Sequence, residues 1–170
     1  MVNITHCGKS HLGFESDEFS SHWVGVMKIE SSDQILLNGF SKNVLSPIKQ
    51  FQRGTYHVYV LVTDQNIPSE LVVFNGEIVG DGSWNHYDVI HVSRKTISVG
   101  NVIGQTIDEE ESKQIVESSA YNTAVIDSSN IVVQSGYGNG KYDLYVYEET
   151  QRDKYLGFRV VFINEGDYYF

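Results

Sequence analysis

The residues best suited to acid–base chemistry lie close together in the middle of the chain. Asp81, His86 and Asp88 surround Trp84 in the segment 81–88. A carboxylate that orients an imidazole is a common arrangement for general acid–base catalysis, so these three residues define one hypothesis, an uncharacterised hydrolase or lyase. The alternative is that the polar side chains hydrogen-bond to the backbone of their own loop.

The histidines do not form a pattern that predicts a metal site. His86 and His91 are five residues apart, so on one strand their side chains would point to opposite faces. His6, His11 and His22 are scattered through a polar N-terminal arm. We therefore predict no metal and no cofactor.

The single cysteine, Cys7, directly follows His6. A nucleophilic thiolate needs a nearby base, but adjacent side chains in an extended chain diverge, and no glycine-rich elbow frames Cys7. The pair therefore does not predict a catalytic nucleophile. One cysteine also excludes an internal disulfide and agrees with a reducing compartment.

Three glycines, Gly136, Gly138 and Gly140, alternate with other residues and could cradle a phosphate. In a dinucleotide-binding fingerprint, such glycines open a helix whose N-terminus meets the phosphate. Here they lead into the segment 141–148, whose alternation is typical of a strand. We therefore interpret them as part of a hairpin turn.

Several tyrosines fall on two strand-like segments and suggest a binding face. Asp143, Tyr145 and Tyr147 share one face of 141–148, and Tyr59 lies on the corresponding face of the earlier segment 55–63. Tyrosine gives amphipathic contact area at low entropic cost, so an open face of this kind would suit a protein partner. The alternative is that a second layer covers both faces.

An acidic run from Asp108 to Glu111 offers a second contact surface. Glu109 and Glu110 could contact a basic partner through this run. The alternative is a solvated first helical turn, where the helix dipole favours negative charge.

The whole chain is acidic as well. Twelve Lys and Arg stand against twenty-two Asp and Glu, which gives a net charge of −10. This balance disfavours nucleic acid and anionic membranes as partners and favours a basic protein.

No apolar run approaches the length of about 20 residues that spans a bilayer. Residues 1–20 are polar, with no apolar centre of a signal peptide, so we predict a cytoplasmic location.

The elements that must position these residues are mostly strands. Aromatic and β-branched runs bounded by Gly, Asn, Asp and Ser predict ten of them, at 23–30, 34–40, 55–63, 70–74, 87–92, 96–102, 122–127, 131–135, 141–148 and 156–163. Asn75-Gly76 and Asn139-Gly140 predict type I′ hairpin turns. One helix is predicted near 106–119, because Thr106 and Glu109 have the spacing of a capping box.

An internal similarity suggests two related halves. The segment 54–60 matches 140–146 at the glycine, both tyrosines and the final valine, and Val-Val-Phe at 72–74 repeats at 160–162. We predict a single domain over 1–170 with β half-units at about 20–104 and 120–170, joined by the helix. Units that cannot bury their apolar faces alone would pack face to face.

The segment Ser135-Gly136-Tyr137-Gly138-Asn139-Gly140-Lys141-Tyr142 resembles the C-terminal S-G-x-G-D-G-x-Y-x-V segment of a bacterial family of unknown function. Asn139 stands where that family has Asp. The repeated Gly-x-Tyr pattern more distantly resembles the competence-protein-J group of acidic nuclease inhibitors, and this resemblance implies an inhibitory role with a protein partner.

These observations predict an all-β sandwich of two related β units with one short connecting helix. The favoured function is a non-catalytic protein-binding module, an acidic cytosolic inhibitor or immunity protein for a basic, nuclease-like partner. Surface carboxylates would imitate the phosphates that such a partner binds. The alternatives are the hydrolase or lyase described above and a structural domain that associates with itself as a homo-oligomer.

Overall fold

The computed structural model describes residues 19–30, 32–78, 81–101, 107–150 and 152–163. Ten strands and one helix lie in these ranges. They are β1 (Ser20–Ile29), β2 (Leu36–Asn38), β3 (Gly54–Val62), β4 (Pro68–Asn75), β5 (Gly82–Val92), β6 (Thr96–Gly100), α1 (Glu109–Ser118), β7 (Thr123–Ile126), β8 (Asn130–Gln134), β9 (Gly140–Glu149) and β10 (Tyr155–Val161).

The strands form two antiparallel sheets. A six-stranded sheet has the order β1-β3-β4-β10-β9-β5, and a four-stranded sheet has the order β2-β6-β8-β7. The main core lies between them: Gly25 of β1 pairs with Val58, and a Cβ built on Gly25 would lie 3.2 Å from Cγ2 of Val125 in β7. The predicted all-β sandwich is confirmed.

Alternation along β3 and β9 fixes which residues share a face of the sheet, and residues of both faces are buried in the same core cluster. Tyr56, Val58 and Val60 point into the main core, as does Leu144 of β9. Tyr142 is only partly buried, but its ring packs against the same core, edge to face on Phe162 at 5.3 Å.

Helix α1 covers the far face of the four-stranded sheet. Ile107 and Val116 form a small second core with Val132 of β8, and Ser112, which is fully buried, allows a close approach. The side chain of Asp108 caps the helix by accepting a hydrogen bond from the backbone N–H of Glu111 at 2.8 Å. The expected capping residue, Thr106, lies outside the described residues.

Both Asn-Gly predictions are wrong. β4 and β5, which flank Asn75-Gly76, are not neighbours, and β8 and β9, which flank Asn139-Gly140, belong to different sheets. Neither dipeptide has a residue with positive φ. Two consecutive residues with the positive φ of a type I′ turn occur instead at Asp127 (φ 51°) and Ser128 (φ 55°), in the β7–β8 hairpin. An Asn-Gly pair permits a I′ turn, but the turn forms only where the flanking strands pair.

The two similar hairpins, β3–β4 and β9–β10, lie side by side in one sheet, with β4 paired to β10. They do not face each other across the sandwich, and both sheets take strands from each half of the chain. Val58 and Leu144 occupy equivalent positions in the two hairpins, but they pair with different positions of the Val-Val-Phe repeat. Val58 pairs with the second valine, Val73, whereas Leu144 pairs with the first valine, Val160, so the two pairings differ by one residue. This shift places Phe74 and Phe162 on opposite faces of the sheet.

Candidate functional site

The structure separates the three residues of the predicted acid–base cluster. Asp81 precedes β5, and five extended residues place it about 16 Å from His86. The carboxylate of Asp88 accepts a hydrogen bond from the backbone N–H of Val89 at 2.7 Å, where β5 has a bulge. The partner of His86 is Asp143 of β9, with 2.9 Å between Nε2 and Oδ1. Both side chains are about half exposed on an open sheet surface.

Next to this pair, Arg159 of β10 holds a second set of polar and aromatic groups together. Its guanidinium carbon lies 5.5 Å from the ring of Tyr145 and 5.4 Å from the ring of Trp84. One of its terminal nitrogens is 2.6 Å from a carboxylate oxygen of Glu70, which is 8% exposed. Two rings and a buried carboxylate therefore hold the cation in place, and we interpret this arrangement as one that stabilises the fold.

Two of the four residues predicted to form a tyrosine-rich binding face are buried. Tyr59 is 1% exposed and stacks on Phe74 with 5.5 Å between the ring centroids. Tyr147 is also 1% exposed, and its hydroxyl oxygen accepts a hydrogen bond from the backbone N–H of Gly82. Burial raises the pKa of Tyr147. Tyr59 and Tyr147 therefore serve packing, and of the four predicted residues Asp143 and part of Tyr145 reach solvent.

Strand β5 forms an edge of the six-stranded sheet, and β9 is its one partner among the strands that the structure describes. Its first half is well exposed, from Ser83 to Asp88, apart from Trp84. Across 81–92 and 140–149 the exposed charges are four carboxylates and a single lysine, at Asp81, Asp88, Asp143, Glu148 and Lys141. The edge is therefore both unpaired, among the described strands, and acidic.

The acidic residues of α1 differ in whether they form an ion pair. Glu109 forms an ion pair with Arg94, with 2.9 Å between Oε1 and Nε. Glu110 and Glu111 are exposed and have no cation within 4.0 Å in the described ranges. Negative charge in the first turn is favourable at the positive end of the helix dipole.

A cavity of about 530 Å³ lies between α1 and two turns, at 93–95 and 134–139. Its charged and aromatic lining comprises Arg94, Lys95, Lys113, Glu109, Glu117 and Tyr137. The sequence analysis did not identify this site, because its cations come from a turn and a helix that only the fold brings together. The available signal was the glycine-rich segment around Tyr137, which we interpreted as a hairpin.

The described residues contain no group of three or more His, Cys, Asp or Glu side chains arranged to hold a metal ion. Cys7 and His6 lie outside the described ranges. Within those ranges, no helix has the length and apolar character needed to traverse a membrane.

Comparison of the chain with protein-family models, with curated proteins and with solved structures found no match.

Proposed function

We propose that the protein is a non-catalytic binding module that recognises a basic segment of another protein along β5. The observation that carries this proposal is the coincidence of a strand edge that no other described strand pairs with and an excess of exposed carboxylates around it. A strand edge offers backbone donors and acceptors to an added strand, and the flanking side chains select its charge.

The partner class we infer is a basic, nucleic-acid-processing enzyme, for which the protein acts as an inhibitor or immunity protein in the cytoplasm. The exposed carboxylates on and beside β5, at Asp81, Asp88, Asp143 and Glu148, would imitate nucleic-acid phosphates and accelerate the encounter. The resemblance to acidic nuclease inhibitors supports the same class of partner, and a single cysteine in 170 residues is compatible with a reducing compartment.

A defined peptide tests the proposal. A nine-residue peptide that alternates Lys with Val should bind, measured by fluorescence anisotropy, and its Glu-Val counterpart should not. Raising the salt from about 0.02 M to 0.5 M should weaken binding at least tenfold, because the Debye length falls well below 10 Å. Equal binding of both peptides would contradict the proposal.

Matched variants locate the surface. Asp81→Lys with Glu148→Lys reverses two charges beside β5, and Glu110→Lys with Glu111→Lys makes the same change on α1. The first pair should abolish binding of the Lys-Val peptide, and the second should reduce it less than threefold. Loss with the α1 pair alone would overturn the assignment to β5 and place the partner on the acidic first turn of α1, at Glu110 and Glu111.

Self-association is the competing outcome, and salt distinguishes it. Pairing of β5 with β5 of a second copy would bring like charges together, so a homodimer should strengthen as salt rises. Light scattering at both salt concentrations measures the mass. A dimer that forms at high salt, together with no peptide binding, would replace the proposal with a self-associating domain.

A further inference from the structure

The cavity between α1 and the two turns has one more cation than carboxylates in its lining, in an otherwise acidic protein. Three of the chain's twelve Lys and Arg residues line it, against two carboxylates, Glu109 and Glu117. Arg94 and Glu109 pair with each other. Lys95 and Lys113 have no carboxylate within 4.0 Å in the described parts of the chain, so the cavity retains uncompensated positive charge.

The backbone of Lys95 is held in an unfavourable conformation at this cavity. Its φ is 60°, in the left-handed region that L-residues other than Asn and Asp rarely adopt. Two hydrogen bonds fix it: its N–H donates to Oδ1 of Asn139 at 2.9 Å, and its carbonyl oxygen accepts from the N–H of Ser135 at 3.0 Å. Such strain recurs where a side chain must be presented to a ligand.

The turn at 135–139 is itself rigidly built and orients the lysine. The hydroxyls of Ser135 and Tyr142 donate to the carbonyl oxygen of Gly138 at 2.8 and 2.6 Å. A Cβ placed on Gly138, whose φ is 145°, would lie 3.8 Å from Cγ of Lys95. The lysine stem therefore lies along the glycine.

Tyr137 supplies a ring at the edge of the same cavity. It is 55% exposed, and no other ring of the described residues stacks on it. An exposed aromatic face beside two unpaired ammonium groups is suited to a ligand that has both an anion and a ring with an apolar face. The cavity volume lies within the range of small-molecule sites, about 300–1,000 Å³.

We propose that this cavity binds a phosphate monoester of a ring compound, with the phosphate held by Lys95 and Lys113 and the ring against Tyr137. Nucleoside monophosphates and sugar phosphates share this chemistry. The cavity adjoins the end of β5 but is distant from the exposed first half of that strand, since seven extended residues place His86 about 23 Å from Ser93 at the cavity wall.

Calorimetric titration with AMP and glucose 6-phosphate, and with adenosine and glucose as unphosphorylated controls, tests the proposal. At least one phosphate ester should bind saturably below 5 mM, and neither control should bind. The ester that binds more tightly shows whether the ligand is a nucleoside monophosphate or a sugar phosphate. Failure of both esters to bind, or equal binding of a control, would overturn the proposal.

Three variants test the residues. Lys113→Gln and Lys95→Gly should each weaken binding about tenfold or more, because each removes a charge-assisted contact, whereas Lys141→Gln, an exposed lysine outside the cavity, should leave it unchanged. Lys95→Gly should also raise the melting temperature, because glycine adopts the left-handed conformation without strain. Unchanged affinity in Lys113→Gln and Lys95→Gly would show that the lysines do not form the site.

Discussion

The hydroxyl of Tyr142 donates a hydrogen bond to the carbonyl oxygen of Gly138 at 2.6 Å and lies 3.2 Å from that of Ser135. One side chain from the start of β9 thereby closes the turn that leads into this strand. Its ring also packs on Phe162, so a single residue links the turn to the core. Burial raises the pKa of Tyr142, as expected for a phenol held in its donor form.

Removal of the hydroxyl should separate these two contributions. Tyr142→Phe should lower the free energy of unfolding by about 1 kcal/mol, the usual net value of one hydrogen bond. Tyr142→Ala should lower it by about 3 kcal/mol, because the packing of the ring is lost as well. Urea denaturation of both variants measures the difference, with Tyr137→Ala, an exposed tyrosine, as the control. Equal losses for Phe and Ala would show that the ring contributes nothing.

The Arg159–Glu70 pair should be strongly coupled, because it is largely removed from solvent. Arg159→Met alone should destabilise the protein by about 3 kcal/mol, since it leaves the carboxylate of Glu70 buried without its cation. The double variant with Glu70→Leu should lose less than the sum of the two single changes. Additive losses in a double-mutant cycle would show that the two residues act independently.

The stability of the protein should fall at mildly acidic pH through His57. Burial lowers the pKa of His57, so below about pH 6.5 the unfolded chain binds a proton that the folded chain resists. Stability from this residue is therefore present above pH 6.5 and lost as the pH falls towards the folded-state pKa. Wild-type protein should lose more stability than His57→Gln between pH 7.5 and 5.5, measured by urea midpoints. Parallel losses would exclude His57 as the cause.

The His86–Asp143 pair should contribute little to stability and nothing to catalysis. Both side chains are about half exposed, and such pairs are worth about 0–1 kcal/mol. The free energy of unfolding of His86→Ala, measured by urea denaturation, should lie within that margin of the wild-type value. A hundredfold fall in any hydrolase or lyase activity found for the protein would instead establish an enzyme that uses this pair.

The alternation of residue types was sufficient to predict the strands and their faces. Val58 and Val60 alternate with His57 and Tyr59, and this period of two fixes which side chains share a face. It does not specify which strands are neighbours, because pairing depends on contacts distant in sequence. Asn75-Gly76 therefore predicted a hairpin between strands that lie apart in the sheet.

The candidate sites depend on distant contacts as well. His86 pairs with Asp143, which is 57 positions away in the sequence. No local pattern could therefore have identified Asp143, and not Asp81, as the partner of His86. Tyr59 and Tyr145 have the same alternation, but only Tyr59 is buried. Lys95 and Lys113 face one cavity because α1 crosses the sheet beside a turn, a placement that side-chain periodicity does not encode.

The order of the six-stranded sheet has a consequence for synthesis of the chain. β10 and β9 insert between β4 and β5, which are both made earlier. Every residue of β4 is buried in the finished sheet, including the run Leu71 to Phe74. Until β10 emerges from the ribosome, this apolar strand lacks one neighbour and remains a template for pairing with other chains. The nascent protein is therefore most exposed to aggregation in the interval between the synthesis of β4 and that of β10.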